Sequence, residues 1–326
     1  MSRIVALQYM SMNSTSTPDR KSLPILATFA GILFVSTASI IIRFAQGEAS
    51  SLVIAASRLL VASLILVPLA VIKYRQDYLS LSRMEIIKGL LSGVFLALHF
   101  LSWIKSLELT SVASSVVLVT TTPLWVALLS PAVLHERLRK GLVCGLVIAV
   151  LGSVVVGLGQ ACRISECRIV CQTLMWNSQS MLGNFLALLG AWMAAGYILM
   201  GRQLRMKLNT VSYTAFVYGV AALILIVLVI LRQEPVFSYS GTTYLWLLAL
   251  GLVPQLLGHS LFNWALLYLS AAFVSLTLLG EPIGTIILAL VLLKESPTLL
   301  EGVGAGLILI GIVVATLGRS RPLNAA

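Results

Sequence analysis

Glu281 is an acid in apolar sequence: of the eleven acidic residues, the other ten fall in tails, loops or the ends of apolar runs. An ionised carboxylate in a bilayer interior costs about 2.5 kcal/mol or more. Glu281 must therefore be paired, protonated, or facing a watery cavity. That makes it a candidate proton carrier or a partner for a cationic solute group; the plainer alternative is that it serves a broken helix through local hydrogen bonds. Arg58 is the cation to set beside it. Either Arg58 snorkels toward the membrane surface, or it faces inward and binds a solute carboxylate or pairs with Glu281. His99 and His259 are ordinary hydrogen-bonded interior residues, or else ligands or proton relays.

Trp103, Asn263 and Trp264 lie one turn beyond these histidines, and Trp192, Tyr197 and Tyr218 fall in other apolar runs. Such residues are packing or interface anchors, or they line a cavity suited to an amphipathic or cationic solute. Pro123 and Pro282 each sit inside an apolar run, where a proline frees a carbonyl that lipid cannot satisfy. Thr121 and Thr122 directly precede Pro123, as Gly280 and Glu281 precede Pro282. Matched helix breaks near the bilayer midplane are pointers to a transporter's binding site; a structural kink back-bonded by threonine is the alternative. No catalytic residue, metal ligand set or cofactor motif is expected. His135-Glu136 begins like a zinc box, but Arg139 occupies the place of the second histidine.

The elements that must position these residues are membrane helices. The chain is 59% hydrophobic and 10% charged. About 20 helical residues cross the hydrocarbon layer, and ten runs qualify, near 24–45, 51–72, 86–106, 111–134, 141–159, 182–201, 211–231, 243–268, 271–293 and 300–318. The expected fold is all-α and polytopic, with the lipid bilayer as its surroundings. The net charge of +11 does not indicate nucleic acid here, because its placement follows the membrane. With a cytoplasmic N-terminus, 15 Lys and Arg lie inside and 6 outside, with Arg58 within a span. The positive-inside rule then puts both termini in the cytoplasm of a cell with this protein in its plasma or inner membrane. Residues 1–23 lack an apolar signal region. Cys162, Cys167 and Cys171 fall in the extracytoplasmic loop, where one disulfide or free thiols are both allowed.

The chain repeats itself. Pro123, Glu136, Gly145, Gly152 and Gly159 recur as Pro282, Glu295, Gly304, Gly311 and Gly318, each 159 residues later. Leu107, Ser111 and Ala113 recur as Leu266, Ser270 and Ala272. Five spans per half is an odd number, so the second half must run inverted. Charge agrees: Arg137-Leu138-Arg139-Lys140 follows the first glutamate, but Ser296-Pro297-Thr298-Leu299 follows the second. Glycines at seven-residue spacing form stripes that let helix backbones approach, within one chain or between two copies as a homodimer.

The stretch Leu107-Glu108-Leu109-Thr110-Ser111-Val112-Ala113 with Pro123, Glu136 and the glycines resembles an EamA domain of the drug/metabolite transporter superfamily. The stretches Gly280-Glu281-Pro282 and Lys294-Glu295 resemble its second copy. Phe34-Val35-Ser36 departs from the aromatic Trp-Gly pair often found in the family's first span. The resemblance implies ten helices in two inverted five-helix repeats enclosing a central cavity, and mostly export of amino acids, other metabolites or toxic compounds. The resulting division is a cytoplasmic tail at 1–23, a first repeat at 24–159, an extracytoplasmic loop at 160–181, a second repeat at 182–318, and a tail at 319–326. The expected function is secondary transport of a small organic solute, amino acid-like or amphipathic and cationic. Export by alternating access with proton exchange is favoured. Import or facilitated exchange is the alternative within transport, and a non-transporting receptor or scaffold is the alternative of another class.

Overall fold

Lipid offers no hydrogen bonds, so each apolar run must satisfy its own backbone. A computed structural model describes residues 22–110, 112–165, 168–171, 178–288, 290–291, 294 and 296–317. Among these are ten helical spans long and apolar enough to cross a membrane. Spans 1 to 5 are Leu23–Ala45, Ser51–Lys73, Arg83–Leu109, Ser114–Val133 and Lys140–Leu158; spans 6 to 10 are Ser178–Arg205, Thr210–Leu231, Gly241–Ala265, Ala271–Leu288 and Leu299–Leu317. Glu295 and Gly318 lie outside the described residues, as do the surroundings of Gly159 and most of both tails.

Short polar residues start the helices. Ser50, Asn209, Ser240 and Ser270 each accept a hydrogen bond from the backbone N–H three residues on, at 3.4, 3.0, 3.3 and 3.3 Å. Each satisfies one of the donors a helix leaves unpaired at its start. Span 3 has a full capping box, in which Ser82 and Glu85 bond each other's backbone. Between spans 1 and 2, Glu48 accepts from the Ser240 N–H at 2.7 Å. That bond holds its carboxyl below the usual range. The connection between spans 5 and 6, read from sequence as a loop, holds a hairpin: β1 (Cys162–Ser165) pairs antiparallel with β2 (Arg168–Cys171), and Cys162 stands opposite Cys171. Cys167 lies outside the described residues.

The helix pairings obey a two-fold exchange of the halves. Span 3 packs on span 6, and span 8 packs on span 1; span 3 also meets span 7, as span 8 meets span 2. Spans 2 and 7, 4 and 9, and 5 and 10 pack each on its own counterpart. Spans 5 and 10 give the direction of the second half. A Cβ built on Gly304 would sit 2.6 Å from Gly152 O, and one on Gly152 would sit 2.7 Å from Gly304 O. One built on Gly311 would lie 2.6 Å from Gly145 O. Residue numbers rise along one helix as they fall along the other, so the counterparts are antiparallel. The repeats are inverted, and the axis relating them lies across the helices. Because the blocking atoms are backbone, these positions admit no side chain without separating the helices.

Candidate functional site

Spans 1, 4, 8 and 9 are interrupted near mid-length, and the interruptions gather around one cavity. Span 1 breaks at Ser36, between Leu23–Val35 and Thr37–Ala45. Span 4 breaks between Val112–Val119 and Thr122–Val133, so Pro123 opens the second piece, where its missing N–H costs least. In span 9 the helix Ala271–Thr277 gives way to a 3₁₀ turn at Leu278–Gly280, then to Glu281–Leu288. Span 8 carries a π-helical stretch, Gly251–His259, with Pro254 inside it. π segments in membrane and soluble helices alike tend to mark functional positions.

The cavity these breaks surround has a volume of about 100 Å³. One water needs about 10–15 Å³ measured this way, so the cavity holds more than a single solvent molecule. Spans 1, 2, 3, 4, 6, 8 and 9 contribute walls. The walls are mainly apolar, Val35, Leu96, Phe100, Phe262 and Leu279 among them, with a few polar groups converging.

Arg58, Glu281, His99, Trp103, His259, Asn263 and Thr122 all reach the wall, as does Pro123. Arg58 does not snorkel: its side chain is 0% exposed. Its Nε donates to Gln255 Oε1 at 3.0 Å, and its guanidinium carbon lies 3.9 Å from the Phe100 ring centroid. Its Nη1 and Nη2 have no hydrogen-bond partner among the described residues. Glu281 is half-buried. Its backbone carbonyl accepts from Ser36 Oγ at 3.0 Å, while its carboxylate has no hydrogen-bond partner among the described residues. Arg58 and Glu281 interact electrostatically across the cavity, yet no ion pair within 4.0 Å joins them among the described residues.

His99 is held by a hydrogen bond between Nδ1 and Gly190 O at 2.9 Å, and its ring stacks parallel to Trp103. His259 meets Phe100 edge-on with 5.4 Å between centroids. Asn263 links two buried phenols, accepting from Tyr197 at 2.7 Å and donating to Tyr218 at 3.0 Å. Tyr218 is thereby a supporting residue behind the wall rather than part of it. Thr121 is also off the wall: its hydroxyl bonds Leu118 O at 2.6 Å and accepts from Trp125 Nε1 at 3.2 Å. Trp192 packs edge-on against Trp125, and Trp264 packs at a tilt against Tyr268; neither tryptophan lines the cavity. Pro282 is buried behind Glu281.

Four residues of consequence escape sequence reasoning. Gln255 aims Arg58; its one signal is an amide inside an apolar run beside Pro254. Phe100 carries the guanidinium but looks like any lipid-facing aromatic. Ser36 ties span 1 to span 9, helped by Gly284, where any Cβ would overlap the Ser36 side chain. Arg202 clasps the repeated glutamate: its Nε lies 2.7 Å from Glu136 Oε1, its Nη1 donates to Leu266 O at 2.6 Å, and the Ala271 N–H donates to Glu136 Oε2 at 3.2 Å. This clasp closes the end of the molecule where the span 4–5 loop meets the span 8–9 turn.

Comparison with known proteins follows the same two halves. The family model described as the EamA-like transporter family matches residues 22–158 and again 181–317. An "Uncharacterized transporter YxxF" of Bacillus subtilis (strain 168) is 22% identical over 244 residues, covering 74% of each chain. A solved structure titled only "Crystal structure of protein" superposes with a TM-score of 0.73 at 19% identity, covering 91% of this chain and 97% of that one.

Proposed function

We propose that this chain, which belongs to the EamA-like transporter family, exports a small organic solute through its central cavity in exchange for protons loaded on Glu281. It is a multi-pass membrane protein with a bilayer around it. The observation carrying the reading is the Glu281 carboxylate: at a break in span 9, opening on the cavity, and without a hydrogen-bond partner among the described residues. A carboxylate placed so can hold a proton or a cationic group in alternation. The two inverted halves supply the motion, because exchanging their poses moves the opening from one membrane face to the other. No catalytic step is assigned to any residue. Both termini are placed in the cytoplasm of a cell membrane, on the Lys and Arg distribution of 15 against 6.

The test begins with a growth-toxicity screen with and without the protein, followed by flux of the hits in proteoliposomes under imposed proton gradients. Glu281→Gln is expected to bind the solute yet lose its response to the gradient. Wild-type flux with unchanged pH response in that variant would sink the proton assignment. Counterflow against a reversed solute gradient separates export from import. Binding without any transmembrane flux would favour a receptor. Impermeant reagents should reach tags within residues 160–181 from outside and tags at either terminus only after permeabilisation.

A further inference from the structure

The guanidinium of Arg58 is held on two sides and unpaired on the third among the described residues. Gln255 takes the Nε–H at 3.0 Å, and the guanidinium carbon stands 3.9 Å over the Phe100 ring centroid. These two contacts restrain a side chain that is 0% exposed. What they leave over is the edge bearing Nη1 and Nη2, buried and without a hydrogen-bond partner among the described residues. Charged donors buried without an acceptor are costly. Glu281 is the acceptor a stability argument would call for, and it stands on the same cavity wall outside ion-pair distance. The two side chains line one cavity and interact electrostatically, with no ion pair within 4.0 Å between them among the described residues.

We infer that the Nη1–Nη2 edge of Arg58 is a fork for the carboxylate of the carried solute, with Gln255 as its positioning residue. This rests on the transporter reading for the word carried, but the binding claim stands alone. A planar guanidinium matches a carboxylate with two parallel N–H···O bonds, which a lysine cannot do. The wall's charge selects a monoanionic head: among the described residues it carries one guanidinium and one carboxylate beside the imidazoles of His99 and His259, with no lysine and no second arginine. A phosphate dianion would meet too little positive charge and the opposing field of Glu281. The solute's body would lie along Leu96, Trp103, Phe262 and Leu279, so it is apolar or aromatic.

The experiment uses the full chain in detergent and two isosteric pairs, phenylacetate with phenylacetamide and isobutyrate with isobutyramide. Affinity is read from tryptophan fluorescence, since Trp103 lies on the wall, and checked by calorimetry. Each acid should bind about tenfold or more tighter than its amide, as expected for a charge-assisted pair. Arg58→Gln should bring acid and amide to equal affinity. Arg58→Lys, which keeps the charge and bulk, should lose most of the preference for the acid. Gln255→Leu should weaken the acids by a larger factor than the amides, a selective effect that general loosening of the fold would not produce. Equal affinity of acid and amide in the wild type, or a preference surviving Arg58→Gln, overturns the fork. The same pairs in proteoliposomes keep the two claims apart. Preferred binding of the acid without flux would leave the fork standing and remove the transporter; equal flux of acid and amide would do the reverse.

Discussion

The breaks in spans 4 and 9 occupy matching places in the two repeats, and they solve one problem in two ways. Each proline leaves a helical carbonyl without its usual donor. In span 4, Thr120, Thr121 and Thr122 turn their hydroxyls back onto the carbonyls of Val117, Leu118 and Val119 at 3.0, 2.6 and 2.8 Å. That break consumes its own polar groups. In span 9 the matching positions are Leu279, Gly280 and Glu281. They offer no hydroxyl, so a 3₁₀ turn tightens the backbone, and Ser36 of span 1 donates to the Glu281 carbonyl at 3.0 Å. The carboxylate, standing where span 4 has Thr122, is left over and opens on the cavity. A duplicated scaffold can thus keep one copy for structure and free the other for chemistry.

The comparison is most easily broken at Glu281. Glu281→Gln should cut proton-driven flux in proteoliposomes by about tenfold, within the usual range of coupling between two binding events, and flatten its pH profile. Full activity would mean that the two breaks do not differ in kind. The sharper test moves the acid. Glu281→Thr combined with Thr122→Glu should recover part of the pH-dependent flux lost in Glu281→Thr alone, because both positions reach the same wall. No recovery would show that the surroundings of span 9, and not the carboxylate alone, make the site. Ser36→Ala comes next. Removing the tether should cost about 1 kcal/mol of stability in a denaturation assay and slow transport, because span 1 then loses its hold on the Glu281 carbonyl. The smallest effect is expected from Thr121→Val. Its hydroxyl only back-bonds its own helix and meets Trp125, so stability should fall by about 0.5 kcal/mol with flux unchanged.

Much of this is legible in the amino-acid sequence. Apolar run lengths are set by bilayer thickness, so the spans came out within a few residues. The 159-residue offset and the odd span count together imply the inversion that the antiparallel glycine contacts display. Charged and histidine side chains in apolar runs have few places to go, which is why Glu281, Arg58, His99 and His259 meet at one wall. The misses have physical causes. Helical spacing puts Thr121 and Thr122 next to each other in sequence but about 100° apart around the axis, so one faces the cavity and the other Trp125. Tyr218 is polar for the sake of Asn263, one layer back, and sequence does not separate the two layers. The π stretch that brings Gln255 to Arg58 shifts the register of span 8, which a 3.6-residue period cannot foresee. Arg202 finds Glu136 at a sequence separation of 66, a distance over which local patterns say nothing.

The glycine seam between spans 5 and 10 has a bearing on ancestry. Each side of it presents the same surface to the other, Gly152 against Gly304 as Gly145 against Gly311. A joint of that self-complementary kind is what two identical molecules form when they dimerise about a two-fold axis. A five-span forerunner inserted in both directions would have already possessed the joint, and gene fusion would have had only to connect its ends. Separate expression of the two halves in one membrane should therefore still yield a paired product.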